Sequence, residues 1–128
     1  MLEEAARFHG HLGPYLALGL KMGLLAQELL QGDPFSVSAQ IHTDTSPPRS
    51  CMVDGIQFSS GCTLGKGNIT IKEDSQLFGI FNRDSCSITI RVRPEIVDSL
   101  TSLSREHLEG SARSLFKKKN EDLFEVVQ

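Results

Sequence analysis

A chain of 128 residues with 39% hydrophobic residues fits one domain over 1–128 and can bury a modest core. Its formal charge of −3 lacks the basic footprint of a nucleic-acid surface, so no nucleic-acid partner is expected. Three cysteines without C-x-x-C spacing point to a reducing compartment, with the cytoplasm as the expectation, and the longest apolar segment, Leu12 to Leu30, is broken by Lys21, Gln27 and Glu28, so neither a signal peptide nor a membrane span is expected.

Met1 to Arg7 reads as a short helix leading into Phe8-His9-Gly10-His11. Residues two apart project about 200° apart around a helix, whereas a loop lets both imidazoles turn to one place, so the histidines are placed on a loop. Pro14 then opens a helix to about Gln31, because proline suits a first helical turn. Within it Gly19, Gly23 and Ala26 form a stripe of small residues that lets the helix pack closely on a neighbour. Gly32-Asp33-Pro34 ends it. From Ser36 to Asp44 apolar Val37, Ala39 and Ile41 alternate with Ser38, Gln40 and His42, the mark of a half-buried strand. A strand after a helix runs back along it, which brings His42 and Asp44 toward the histidine loop. His42 itself sits on the polar face and reads as solvated.

Pro47 and Pro48 forbid helix before Arg49, and Ser50 can cap an orphan amide, so the next helix starts at Cys51. That places a thiol in a first turn, where the positive helix end favours thiolate; the competing reading is a small buried hydrophobe. Asp54 follows one turn on, on the same face. Chain direction thus gathers His9, His11 and Cys51 at one end of the domain. Gly61 suits a helix C-cap, and Gly65 and Gly67 flank Lys66 where a backbone must bend or approach something closely. The spacing is not that of a Walker phosphate loop, since three residues and not four separate Gly61 from Gly65-Lys66, and Gly67 follows. The runs 69–73, 77–83 and 86–93 read as an antiparallel meander, with Cys86 on the core face beside Ile88, Ile90 and Val92. Helices are expected from Pro94 to about Leu103 and on the stripe of Leu108, Ala112, Leu115 and Phe116. Leu123 to Val127 fits helix or edge strand, and Lys117-Lys118-Lys119 fits a helix C-terminus.

The stretches FHGHLGPYLALGLKMG, from Phe8 to Gly23, and SPPRSCMVDGIQFSSGCTLGKGNI, from Ser46 to Ile69, together resemble the formylmethanofuran dehydrogenase E-subunit family. The resemblance implies an α+β core with a mixed, largely antiparallel sheet flanked by helices, thioredoxin-like in kind, and a metal-binding active site within it. It adds Cys62 and Lys66 to the candidate residues. Many members carry a C-terminal treble-clef zinc finger; this chain has no cysteine after Cys86, so it resembles the core-domain form. Gly13 stands where members often have a cysteine, which removes one candidate ligand.

Histidines and cysteines from separate segments suit an open, mixed metal site, here His9, His11, Cys51 and Cys62. Imidazole with thiolate fits zinc best among divalent metals. Asp54 as a proton acceptor and Lys66 as an anion holder would suit hydrolysis or one-carbon chemistry equally. If 51–60 is one straight helix, Cys62 stands about 15 Å from Cys51, too far to share a metal unless the helix breaks or a partner chain supplies the residue; a homodimer is expected. The resemblance implies association with molybdenum or tungsten formylmethanofuran dehydrogenase subunits in methanogenesis-type one-carbon metabolism. The alternatives are a metal or sulfur carrier using Cys51 and Cys62, and an assembly subunit.

Overall fold

A computed structural model describes residues 1–128. Its centre is α2 (Pro14–Leu30), which starts at the expected proline and is apolar on nearly every side. Such a helix must be covered all round. One face, with Leu18, Met22 and Leu25, belongs to the main core shared with the sheet and α3 (Cys51–Ser60). The other, with Leu16, Ala17 and Leu20, packs on Leu2 and Ala5 of α1 (Leu2–His9) and Ala112 of α5 (Leu108–Lys117).

The stripe of small residues on α2 is used inside the chain. A β-carbon at Gly19 would stand 2.0 Å from the Met52 carbonyl oxygen, and one at Gly55 would stand 2.4 Å from that of Leu16. The backbones of α2 and α3 therefore touch, and α3 is locked at the depth and rotation those glycines allow. That face of α2 offers no surface to a second chain.

Five strands form one mixed sheet in the order β2-β1-β3-β4-β5: β1 (Ser38–Thr43), β2 (Ile69–Glu73), β3 (Phe78–Arg83), β4 (Cys86–Val92) and β5 (Phe124–Val127). Three of its pairings are antiparallel and β1–β2 is parallel, with Ile41 opposite Ile71 on one side and Gly79 on the other. The architecture is the expected α+β. The expected meander is corrected in one respect: β2 pairs with β1 and not with β3, because α3 carries the chain over the sheet and returns it parallel, as a helical crossover does. Cys86 is a second correction. It occupies the first position of β4 opposite Arg83, in the tight turn, and is exposed, whereas Ile88, Ile90 and Val92 farther along are buried. Alternation named its face correctly, but the cover over that face ends before the turn.

The C-terminal run resolves as a short α6 (Asn120–Leu123) followed by edge strand β5, and α4 (Pro94–Leu100) stops three residues before the expected Leu103. A single 3-10 turn, Arg105–His107, leads into α5. No helix is long and apolar enough to cross a membrane.

Candidate metal centre

Two helix ends and one turn make the site. His9 is the last residue of α1 and not a loop residue, which corrects the expectation for that histidine. Gly10 then adopts a left-handed φ of 118° and caps the helix, its N–H donating to the Ala6 carbonyl at 2.7 Å. This reversal folds His11 back, so that the two rings lie edge to face with centroids 5.0 Å apart. The C-terminal end of β1 returns to the start of α2, where Asp44, Pro48 and Arg49 surround Tyr15. There α3 begins, and its first residue, Cys51, faces the histidines. Ligand atoms of His9, His11 and Cys51 all lie within 4.8 Å of one another, close enough for one cation.

Asp54, one turn into α3, accepts a hydrogen bond from His9 Nδ1 at 2.5 Å. A carboxylate can only accept, so Nδ1 carries a proton, and in the neutral ring the lone pair is then on Nε2. That Nε2 is buried and has no hydrogen-bond partner anywhere in the protein. Behind Asp54 stands Gln57, a residue the sequence did not single out. Its Nε2 reaches Asp54 Oδ1 at 3.5 Å while its Oε1 accepts from the Leu64 N–H at 2.9 Å. A polar chain thus runs from the loop after α3 through Gln57 and Asp54 to His9. The signal in sequence was the i, i+3 spacing of Asp54 and Gln57, which puts both on one helix face.

The Cys51 thiol is pushed above its ordinary range, first by burial and then by the negative charge of Asp54. Both favour the protonated thiol, against a backbone hydrogen bond at Cys51 that favours thiolate.

Cys62 and Lys66 lie outside this group. Cys62 is fully buried in the main core, its thiol donating to the Val37 carbonyl at 3.5 Å and pushed up by burial. Lys66 is held within its own loop, with Nζ 3.4 Å from Thr63 Oγ1 and over the Phe35 ring. Of the two flanking glycines only Gly67 has a left-handed φ, 72°, and a side chain at Gly65 would meet open space. His42 pairs with Asp74 and stacks on Phe78, and is not among the clustered ligands.

A hollow of about 280 Å³ opens beside the cluster, with His11 and Cys51 in its wall.

Fold and site together define a small α+β protein with a three-residue His/Cys group able to hold a metal ion on an open side. The chain belongs to the family described as FmdE, molybdenum formylmethanofuran dehydrogenase operon, whose model matches residues 8–127. It is also similar to a probable S-adenosyl-L-methionine-binding protein of Archaeoglobus fulgidus, 36% identical over 72 residues, a match covering 54% of this chain and 19% of that protein.

Proposed function

We propose that this protein binds a divalent metal, zinc by donor type, through His9 Nε2, His11 and Cys51, with a fourth position left for an exchangeable ligand. The observation that carries the reading is the orphaned His9 Nε2. A buried nitrogen with no partner costs roughly 1–3 kcal/mol in lost solvation, and a cation held with His11 and Cys51 removes that cost. The carboxylate behind the imidazole has the arrangement seen around metal-ligating histidines, where it fixes tautomer and ring direction.

Within this reading each residue has a distinct task. Asp54 holds the Nδ1 proton of His9 and keeps Nε2 aimed at the site. Gln57 steadies Asp54. With a metal held there, Cys51 would lose its proton, and the cation's charge, not the helix end, would keep the sulfur anionic. When bound, the metal supplies Lewis acidity at its open position. The family's description supports a role beside a molybdenum formylmethanofuran dehydrogenase, and one-carbon metabolism in the cytoplasm belongs to the same proposal. A homodimer belongs to the same proposal and is supported by Phe8 and Phe58, exposed rings with centroids 6.0 Å apart on the two helices that carry His9 and Asp54. A carrier using Cys51 and Cys62 is less well supported, because the Cys62 thiol is enclosed.

Metal analysis of the purified protein beside two variants tests the reading. About one metal ion per chain is expected in wild type and in Cys62→Ser, and close to none in Cys51→Ser. Undiminished metal in Cys51→Ser would overturn it.

A further inference from the structure

The hollow beside the metal ligands has a chemistry of its own. Its wall is formed by His11 and Cys51 together with Leu100, Leu103 and Leu108, and by Arg105, in the 3-10 turn before α5, which with His11 also borders the adjoining hollow. The character is that of a ligand pocket, mostly apolar with a few polar groups that fix orientation. Arg105 is the one residue of permanent charge on it.

That charge is uncommitted. No carboxylate pairs with Arg105 in the fold, and the acidic residue on the same rim, Glu109, is taken by Arg113 at 3.1 Å. Arg113 in turn holds Glu3 of α1, so Glu109 and Glu3 are both spent on fastening α5 to α1. The nearby Thr101 hydroxyl donates to the Val97 carbonyl and is also occupied. A guanidinium over an apolar hollow, with no internal partner, presents a planar fork of donors matched to a carboxylate. The volume, about 280 Å³, lies just under the range of pockets that hold drug-sized molecules, which suits a small ligand.

We propose that this hollow binds a small organic acid. Its apolar body lies against Leu100, Leu103 and Leu108, its carboxylate pairs with Arg105, and its remaining end faces the His11–Cys51 wall. The proposal names the ligand class of the site and rests on the metal reading only for what the His11–Cys51 wall holds.

The test uses isovalerate, a branched short-chain acid, and its neutral counterpart isovaleramide. Both are titrated into metal-free and zinc-loaded protein while the leucine methyl resonances are followed by NMR. Saturable shifts at Leu100, Leu103 and Leu108 are expected with isovalerate. Affinity falls about tenfold or more in Arg105→Gln, and by a similar factor for isovaleramide on wild type, since each change removes one partner of a charge-assisted pair. Absence of saturable shifts in both protein forms would overturn the proposal. So would equal binding by Arg105→Gln, or by isovaleramide. Zinc affinity is measured separately on the same wild-type sample. Absence of zinc binding would count against the metal centre alone, and absence of the methyl shifts in both forms of a protein that binds zinc against the pocket alone.

Discussion

The two ends of α3 each present a cysteine within two residues of the helix, and they behave in opposite ways. At the N-terminal end Cys51 is half-buried and faces two histidines from another helix end, with an unpartnered nitrogen among them. At the C-terminal end Cys62 follows the Gly61 cap, turns inward and is sealed among core residues with its thiol on a backbone carbonyl. Both occur in one glycine-rich, cysteine-bearing stretch. What separates them is convergence. Three chain segments meet at Cys51 and leave polar valences open, whereas at Cys62 the backbone N–H and the thiol already have their partners.

The sharpest way to break the contrast is to unseat the helix that carries both ends. In Gly19→Ala the new methyl meets the Met52 carbonyl, which cannot yield without shifting α3 against α2. A loss of about 3 kcal/mol or more in denaturant unfolding is expected, together with weakened metal binding, because Cys51 and Asp54 move with the helix. Wild-type stability would show that the two helices have slack the packing does not reveal.

Asp54→Asn probes the Cys51 end without moving it. The amide is similar in shape but no longer an anionic acceptor for His9 Nδ1, so metal affinity measured by competition with a chelator is expected to fall roughly 10–100-fold. Folding of the metal-free variant should change little.

Thiol reactivity sharpens the comparison further and adds the third cysteine. In metal-free protein near neutral pH the alkylation order is expected to be Cys86, then Cys51, then Cys62, read by mass spectrometry of peptides. Cys86 is exposed, Cys51 is half-buried with its thiol pushed up by burial and Asp54, and Cys62 is enclosed. The sign follows from the thiolate being the reactive form: a raised pKa leaves less of it at neutral pH, and the gap between Cys86 and Cys51 narrows as pH rises through the Cys51 titration. Fastest labelling at Cys51 would mean that the helix terminus prevails over burial after all.

The smallest effect concerns the loop beyond Cys62. Gly67→Ala forces a β-carbon into a left-handed conformation and should cost about 1–2 kcal/mol in thermal or chemical unfolding, whereas Gly65→Ala should be close to neutral. Equal effects would show that the loop adopts another backbone in solution.

Much of the frame was readable because its signals are local. Pro14 and Pro94 begin α2 and α4 where proline geometry placed them, and α3 begins at the expected Cys51, although Ser50 makes no side-chain capping bond there. The gathering of His9, His11 and Cys51 followed from chain direction, since a strand after a helix must return along it. Strand order was not readable: whether the run after α3 joins β1 or β3 depends on where the helix lies over the sheet, and no residue within 69–73 states that. Alternation gave Cys86 its face but not the point at which the cover over that face stops. The bond between His9 and Asp54 spans 45 positions in sequence and depends on two helix ends meeting. Cys62 shows the reverse error, in which a residue next to a motif is grouped with it although its side chain points the other way.

The central claim, that His9, His11 and Cys51 hold the metal while Cys62 does not, is met most directly by X-ray absorption at the metal edge of zinc-loaded protein. The expected first shell is one sulfur and two imidazole nitrogens with one lighter exchangeable ligand, and the same shell in Cys62→Ser. A shell with two sulfurs that loses one in Cys62→Ser, or a shell without imidazole, would contradict it.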